Sequence, residues 1–129
     1  MKDGEYFLKD MHITKWIGDK FWGFPIQESP FYRTLVESDR TIYDDYRNLF
    51  FSTHKRCCVC SYENYMKLYE SIEKCWNSSK GNITLEDVDD LNRIADGHHR
   101  ASILLHLYPI MKVVKVGLNI YPNFASVED

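Results

Sequence analysis

Asp96-Gly97 stands between a short β-prone stretch and the apolar run Ile103-Leu104-Leu105 with Leu107. A strand that ends in a glycine turn and feeds a helix satisfies that order, which narrows the chain to folds mixing strands and helices. The same junction sets a chemistry. A helix N-terminus leaves backbone N–H groups without intrahelical partners and carries partial positive charge, and a glycine ahead of it lets a ligand approach the backbone without meeting a Cβ. Asp96, His98, His99 and Arg100 add a carboxylate, two imidazoles and a planar guanidinium fork suited to phosphate oxygens.

The rest of the pattern also mixes strands and helices. Glu5 to Lys15 reads as strand or loop, and Trp16 to Pro25 as loop, because two glycines and a proline punctuate it. Ser29-Pro30 opens a short helix, with serine as N-cap and proline at the first helical position, carrying Phe31 and Leu35 on one face. Thr41 with Asp44 repeats the capping logic for a second helix through Leu49. The clearest helix runs from Ser61 to Trp76. There Tyr65, Leu68, Ile72 and Trp76 share one face while Glu63, Lys67, Glu70 and Lys74 populate the other, so it is expected to pack on a sheet. Ser78 to Asn82 ends it as a turn.

Ile83 to Val88 with Asn92 to Ala95 reads as a hairpin, although Val88, Leu91 and Ile94 also fit a helical period. Val114, Val116, Leu118 and Ile120 alternate with Lys115, Gly117 and Asn119, which predicts a final strand with one buried face. The expected architecture is α+β, a small mixed sheet flanked by helices, in a single domain spanning residues 1–129.

A chain of this length buries one core, and the crowding of Tyr6, Phe7, Trp16, Phe21, Trp22, Phe24, Phe31, Tyr32, Tyr43 and Tyr46 into the first half predicts one built from large rings. The net charge of −3, with basic residues dispersed, argues against a nucleic-acid binder. No N-terminal stretch reads as a signal peptide, and the apolar region from Ile103 is broken by His106, Pro109, Lys112 and Lys115, so no membrane partner and a cytoplasmic location are expected. The oligomeric state is left open.

Asp96-Gly97-His98-His99-Arg100, followed by the small Ala101 and an aliphatic helix, resembles the nucleotide-site turn of the ParB/sulfiredoxin-like superfamily, sharply over residues 94–107 and more loosely over 62–120. The matching turn reads Gly-Glu-Arg-Arg in ParB partition proteins and Gly-Cys-His-Arg in sulfiredoxins. The free-serine kinase branch has an Asp-Gly-His lead-in closer to this chain. Proteins with an Asp-Gly-His/Gln-His-Arg turn also sit among genes for bacterial surface polysaccharides. The sulfiredoxin cysteine falls at His98, so sulfinic-acid reduction is not expected. The second ParB arginine falls at His99 and the ParB DNA-binding region has no counterpart before Asp129, so neither is a partition role.

The resemblance implies a pocket for ATP, or another nucleoside triphosphate, with Mg2+. In it Gly97 and the backbone through Ala101 meet the phosphates, His99 and Arg100 supply charge, and His98 orients the turn or approaches the substrate. The activity implied is that of a phosphotransferase or nucleotide hydrolase acting on a small hydroxylated substrate, in surface polysaccharide metabolism by the gene-neighbour likeness. The alternative is a non-catalytic regulatory module that holds a nucleotide or sugar phosphate.

Asp96 itself has three readings: a general base toward a substrate hydroxyl, a magnesium ligand, or a plain turn or helix cap. Glu28 is a second candidate acid, since an N-terminal acidic residue helps substrate activation in the serine-kinase branch; its plainer reading is a carboxylate favourable to a helix dipole. His98 and His99 diverge by roughly 100 degrees on a helix, so one of them is expected to face structure. A zinc site on the His pair lacks further ligands, and His54, Cys57, Cys60 and Cys75 lack the paired knuckles of a structural zinc centre. Cys57, Cys58, Cys60 and Cys75 are read as free, partly buried thiols, with Cys75 on the apolar side of its helix. Asp87, Asp89 and Asp90 read as a solvated turn, or less favourably as metal ligands.

Overall fold

Why each segment takes its form is clearest at the helix starts. Ser29 precedes α1 (Pro30–Glu37), its hydroxyl accepting from the Tyr32 N–H at 3.2 Å and donating to the Ile26 carbonyl at 2.7 Å, and Pro30 supplies a preset φ at the first position. α2 (Arg40–Thr53) is capped differently from the Thr41/Asp44 expectation. Asp39 takes the backbone N–H of Thr41 at 2.9 Å and its hydroxyl at 2.6 Å, while Asp44 pairs with Arg40 at 2.8 Å one turn along. Asp39 wins because a cap must precede the first turn, and Thr41 already lies inside it. α3 (Tyr62–Lys74) starts at the Ser61 cap, whose hydroxyl accepts from the Asn64 N–H.

The computed structural model describes residues 2–17, 20–53, 59–76, 82–86 and 93–127, without the side chains of 15–17, 20–22 and 51–53. Its strands are β1 (Gly4–Phe7), β2 (His12–Ile17), β3 (Lys20–Pro25), β4 (Ile83–Leu85), β5 (Arg93–Asp96), β6 (Lys112–Val116) and β7 (Asn119–Asn123). They form one mixed sheet in the order β1-β6-β7-β4-β5-β2-β3, with β2 and β5 parallel and every other pair antiparallel. α4 (His98–Leu107) crosses between β5 and β6. The fold is thus a small mixed α/β domain, and no helix among the described residues is long and apolar enough to cross a membrane.

Three expectations are corrected. The stretch from Trp16 to Pro25 is the end of β2 and all of β3, paired from His12↔Pro25 to Ile17↔Lys20. Gly23 continues the strand beside Arg93, where a Cβ would lie 3.2 Å from the guanidinium carbon, and Pro25 is tolerated because β3 is an edge strand. α3 packs chiefly on α4, not on the sheet, since α4 lies between them.

The last strand is two, joined at Gly117, which takes φ +61 in a two-residue turn. Over β6 the burial phase is also the reverse of expectation, whereas Ile120 in β7 is buried as expected. Val113 and Lys115 face inward and Val116 is 54% exposed. The Lys115 ammonium reaches Asp3 at 3.1 Å, so the methylene stem is buried while the charge is met at the rim. The hairpin of β4 with β5 agrees with the sequence reading, Thr84 facing Asp96 and Leu85 facing Ile94 across a bulge. Residues 78–81 and 87–92 lie outside the described structure.

Buried side chains form one cluster in which α4 is central: Ala101, Ser102, Ile103, Leu104 and Leu105 are consecutive and all buried. A helix buried on every side needs no polar stripe, which is why its sequence is apolar rather than amphipathic. The rings of Phe31, Tyr43, Tyr46 and Tyr65 fill the space between α1, α2 and α3, whereas Phe7 stays 39% exposed on the sheet.

Candidate functional site: the turn between β5 and α4

The strand, glycine and helix form where the sequence places them. Gly97 takes φ +88, a left-handed backbone conformation that side chains disfavour, and its carbonyl accepts the first helical hydrogen bond from the Ala101 N–H at 2.9 Å. The missing Cβ makes room for the protein itself. Built onto Gly97, it would stand 3.0 Å from both Cα and Cγ1 of Ile83 and 3.1 Å from the Asn82 carbonyl oxygen. The Gly97 N–H donates to Asp96 Oδ1 at 2.9 Å, fixing the carboxylate over the turn while the residue remains exposed.

Both imidazoles turn inward. His98 reaches back to the Ile94 carbonyl at 2.7 Å, and because a carbonyl only accepts, Nε2 carries the proton. The same carbonyl accepts from the Thr14 hydroxyl at 2.9 Å, so strand β2, strand β5 and the first turn of α4 meet on one oxygen. His99 takes the opposite direction. Its Nε2 lies 3.0 Å from the Tyr43 hydroxyl, which already donates to the Cys60 carbonyl at 2.6 Å, so the imidazole is the donor to Tyr43. Phe31 and Tyr65 rings flank it at 4.5 and 5.0 Å, and the Cys60 thiol lies 4.0 Å from Nε2. Burial, with the Cys60 thiol second, pushes the Tyr43 phenol far above the ordinary tyrosine range, so it stays protonated.

Arg100 occupies the third side of the turn. Its guanidinium carbon lies 5.5 Å from the Trp76 ring centroid, a cation–π contact that holds a planar fork in place. Partial burial lowers its pKa and the Asp96 charge opposes that shift. Asp96 and Arg100 thus place opposite charges at an N-terminus that has no side-chain cap.

No known protein family, curated protein or solved structure matches this chain.

Of the residues singled out in the sequence, Asp96 is exposed on the turn, Gly97 forms it, and Arg100 is half-buried against Trp76. His99, which the resemblance turns toward phosphate, instead faces Tyr43, and His98 clamps the turn to β5. Ala101 has no exposed surface and its N–H is spent on Gly97. Glu28 ends a short 3-10 turn (Ile26–Glu28) that abuts α4, and its side chain is exposed. A magnesium ion accompanying phosphates needs only one or two carboxylates and keeps its waters, so the exposed Asp96 carboxylate suits that use. Among the described residues no group of three or more His, Cys, Asp and Glu side chains is placed to hold a metal.

Cys60 is a free, half-buried thiol as expected, but Cys75 is exposed, because α3 ends at Lys74 and Cys75 leaves in extended conformation. His54, Cys57, Cys58, Asp87, Asp89 and Asp90 lie outside the described residues. Sequence reasoning missed Thr14, Tyr43, Cys60 and Trp76. The first three reach the turn's histidines and Ile94 across 39 to 80 residues, and no local pattern marks them.

Proposed function

We propose that the turn from Asp96 to Arg100 binds the phosphates of a nucleoside triphosphate, ATP with Mg2+ in the first instance. In this reading the chain is a ParB/sulfiredoxin-like phosphotransferase or nucleotide hydrolase whose acceptor is a small hydroxylated molecule. The observation that carries it is a left-handed glycine joining a strand to a helix without a side-chain cap, with Arg100 held on Trp76 beside the exposed Asp96. Phosphoryl transfer depends mainly on positioning and charge neutralisation, which a rigid turn, a guanidinium and one carboxylate are suited to give. His98 and His99 act here as the braces that hold the turn, not as phosphate ligands.

The inward imidazoles also favour a second reading, a module that binds a nucleotide or sugar phosphate and regulates a partner without turnover. Titration calorimetry and turnover assays with ATP, CTP and GTP, with and without magnesium, separate the two. Arg100→Ala is expected to weaken nucleotide binding by about 1.5–3 kcal/mol, the worth of a charged hydrogen bond. Asp96→Asn is expected to cut turnover by about a hundredfold or more while the protein still folds and binds. Unchanged affinity in a folded Arg100→Ala variant refutes the phosphate site, and absence of turnover in a wild type that binds transfers the assignment to the regulatory module.

A further inference from the structure

At the other end of α4, His106 lines an open cavity of about 240 Å³ together with residues of α1 and α3. Tyr62, Met66 and Tyr69 come from one stripe of α3, at spacings of four and three, and Leu35 and Ser38 from the end of α1. His106 is six residues beyond Arg100, about 9 Å along the helix axis, so this cavity is separate from the β5–α4 turn.

We propose that this cavity is a second ligand site, for an uncharged planar aromatic or heteroaromatic molecule of one or two rings. Four observations carry the assignment. Two tyrosine rings and a thioether line the space, and flat π-systems gain most from such walls through ring pairing and sulfur–aromatic contact. The volume is below the roughly 300–1,000 Å³ of drug-sized pockets, which limits the occupant to a small ring system.

The third observation concerns hydrogen bonding. Tyr69 Oη lies 3.0 Å from His106 Nδ1. If the phenol donates, His106 offers an Nε2–H and Tyr69 an acceptor oxygen; if Nδ1 donates, Tyr69 offers its proton and Nε2 accepts. Either way the pair keeps one donor and one acceptor, the complement of a heterocycle edge that carries both. Charge is the fourth. Arg40 stacks on the Tyr62 ring at 5.0 Å but is neutralised by Asp44 at 2.8 Å and Glu63 at 2.7 Å, so its charge is not spare for an anion. The rim also includes Ser38 at φ +50, the one non-glycine residue at positive φ among those described; helices more often end there in glycine, and serine adds a hydroxyl to the rim.

Adenine and indole serve as probes and benzoate as the anionic control, with binding followed by amide chemical-shift perturbation in the full chain. Both neutral probes are expected to shift the signals of residues 34–38, 62–69 and 106 saturably, with benzoate weaker. Met66→Trp, which fills the space, and His106→Ala are each expected to weaken adenine binding by about tenfold. Tyr62→Ala, at a half-exposed ring, replaces either variant that loses its native circular dichroism. Arg100→Ala and saturating inorganic phosphate are expected to leave adenine binding here unchanged, which distinguishes this site from the turn. Absence of saturable shifts with both neutral probes, or affinity retained in the folded variants, overturns the proposal.

Discussion

Gly97 shows how a single residue type serves a backbone that no other satisfies. Its φ of +88 and the 3.0 Å approach of Ile83 are separate demands on the same position, one conformational and one steric. Gly97→Ala is therefore expected to destabilise the protein by about 2 kcal/mol or more, because the left-handed penalty adds to a contact with backbone that cannot swing aside. Chemical denaturation measures it, and a cost near zero would show that β4 yields. The glycine was legible in the sequence as a turn residue. Its packing against Ile83, fourteen positions earlier, was not, since the demand arises only once β4 is paired beside β5.

Among elements, α1 and β6 show opposite degrees of legibility. Ser29-Pro30 is a local signal and forms as read, because a cap and the N–H it satisfies lie within three residues. Ser29→Ala is expected to cost about 1–2 kcal/mol in thermal or denaturant unfolding, the upper range of cap losses, since the serine is fully buried and bonds in both directions. β6 carries the alternation of a half-buried strand, yet alternation leaves the choice of inner face to its neighbours. Pairing with β1 and the Asp3 carboxylate turns Lys115 inward and Val116 outward. Val113→Ser is expected to cost at least about 2 kcal/mol, through lost burial and an added buried hydroxyl, and Val116→Ser to stay within about 0.5 kcal/mol. Equal costs would contradict this phase, and a larger cost at Val116 would restore the opposite one.

At the scale of the whole molecule, the tyrosines between the helices couple the fold to alkaline pH. Burial is the first cause that pushes Tyr43 and Tyr65 above the ordinary value of 10.0. Above that pH the unfolded chain releases protons that the folded chain keeps, so the unfolded state binds fewer protons and stability falls as pH rises. Tyrosinate absorbance from these two rings is expected to appear together with the loss of far-UV circular dichroism, and Tyr43→Phe to remove part of the pH dependence. Ionisation of both rings in a protein that retains its fold would contradict their burial.

What the sequence determined by itself is what depends on neighbours a few residues apart: the helix cap at Ser29, the amphipathic face of α3, the glycine turn after β5 and the mixed class of the fold. The tertiary structure alone decided which way His98 and His99 face, that Trp76 carries Arg100, that α3 rests on α4, and that residues 20–25 are an edge strand. These depend on contacts such as Thr14 with Ile94, eighty residues apart, whose partners are fixed only when the sheet closes around the central helix. Local hydrogen bonding is written into adjacent residues, whereas side-chain direction is set by whatever the fold packs opposite, and no periodicity encodes that.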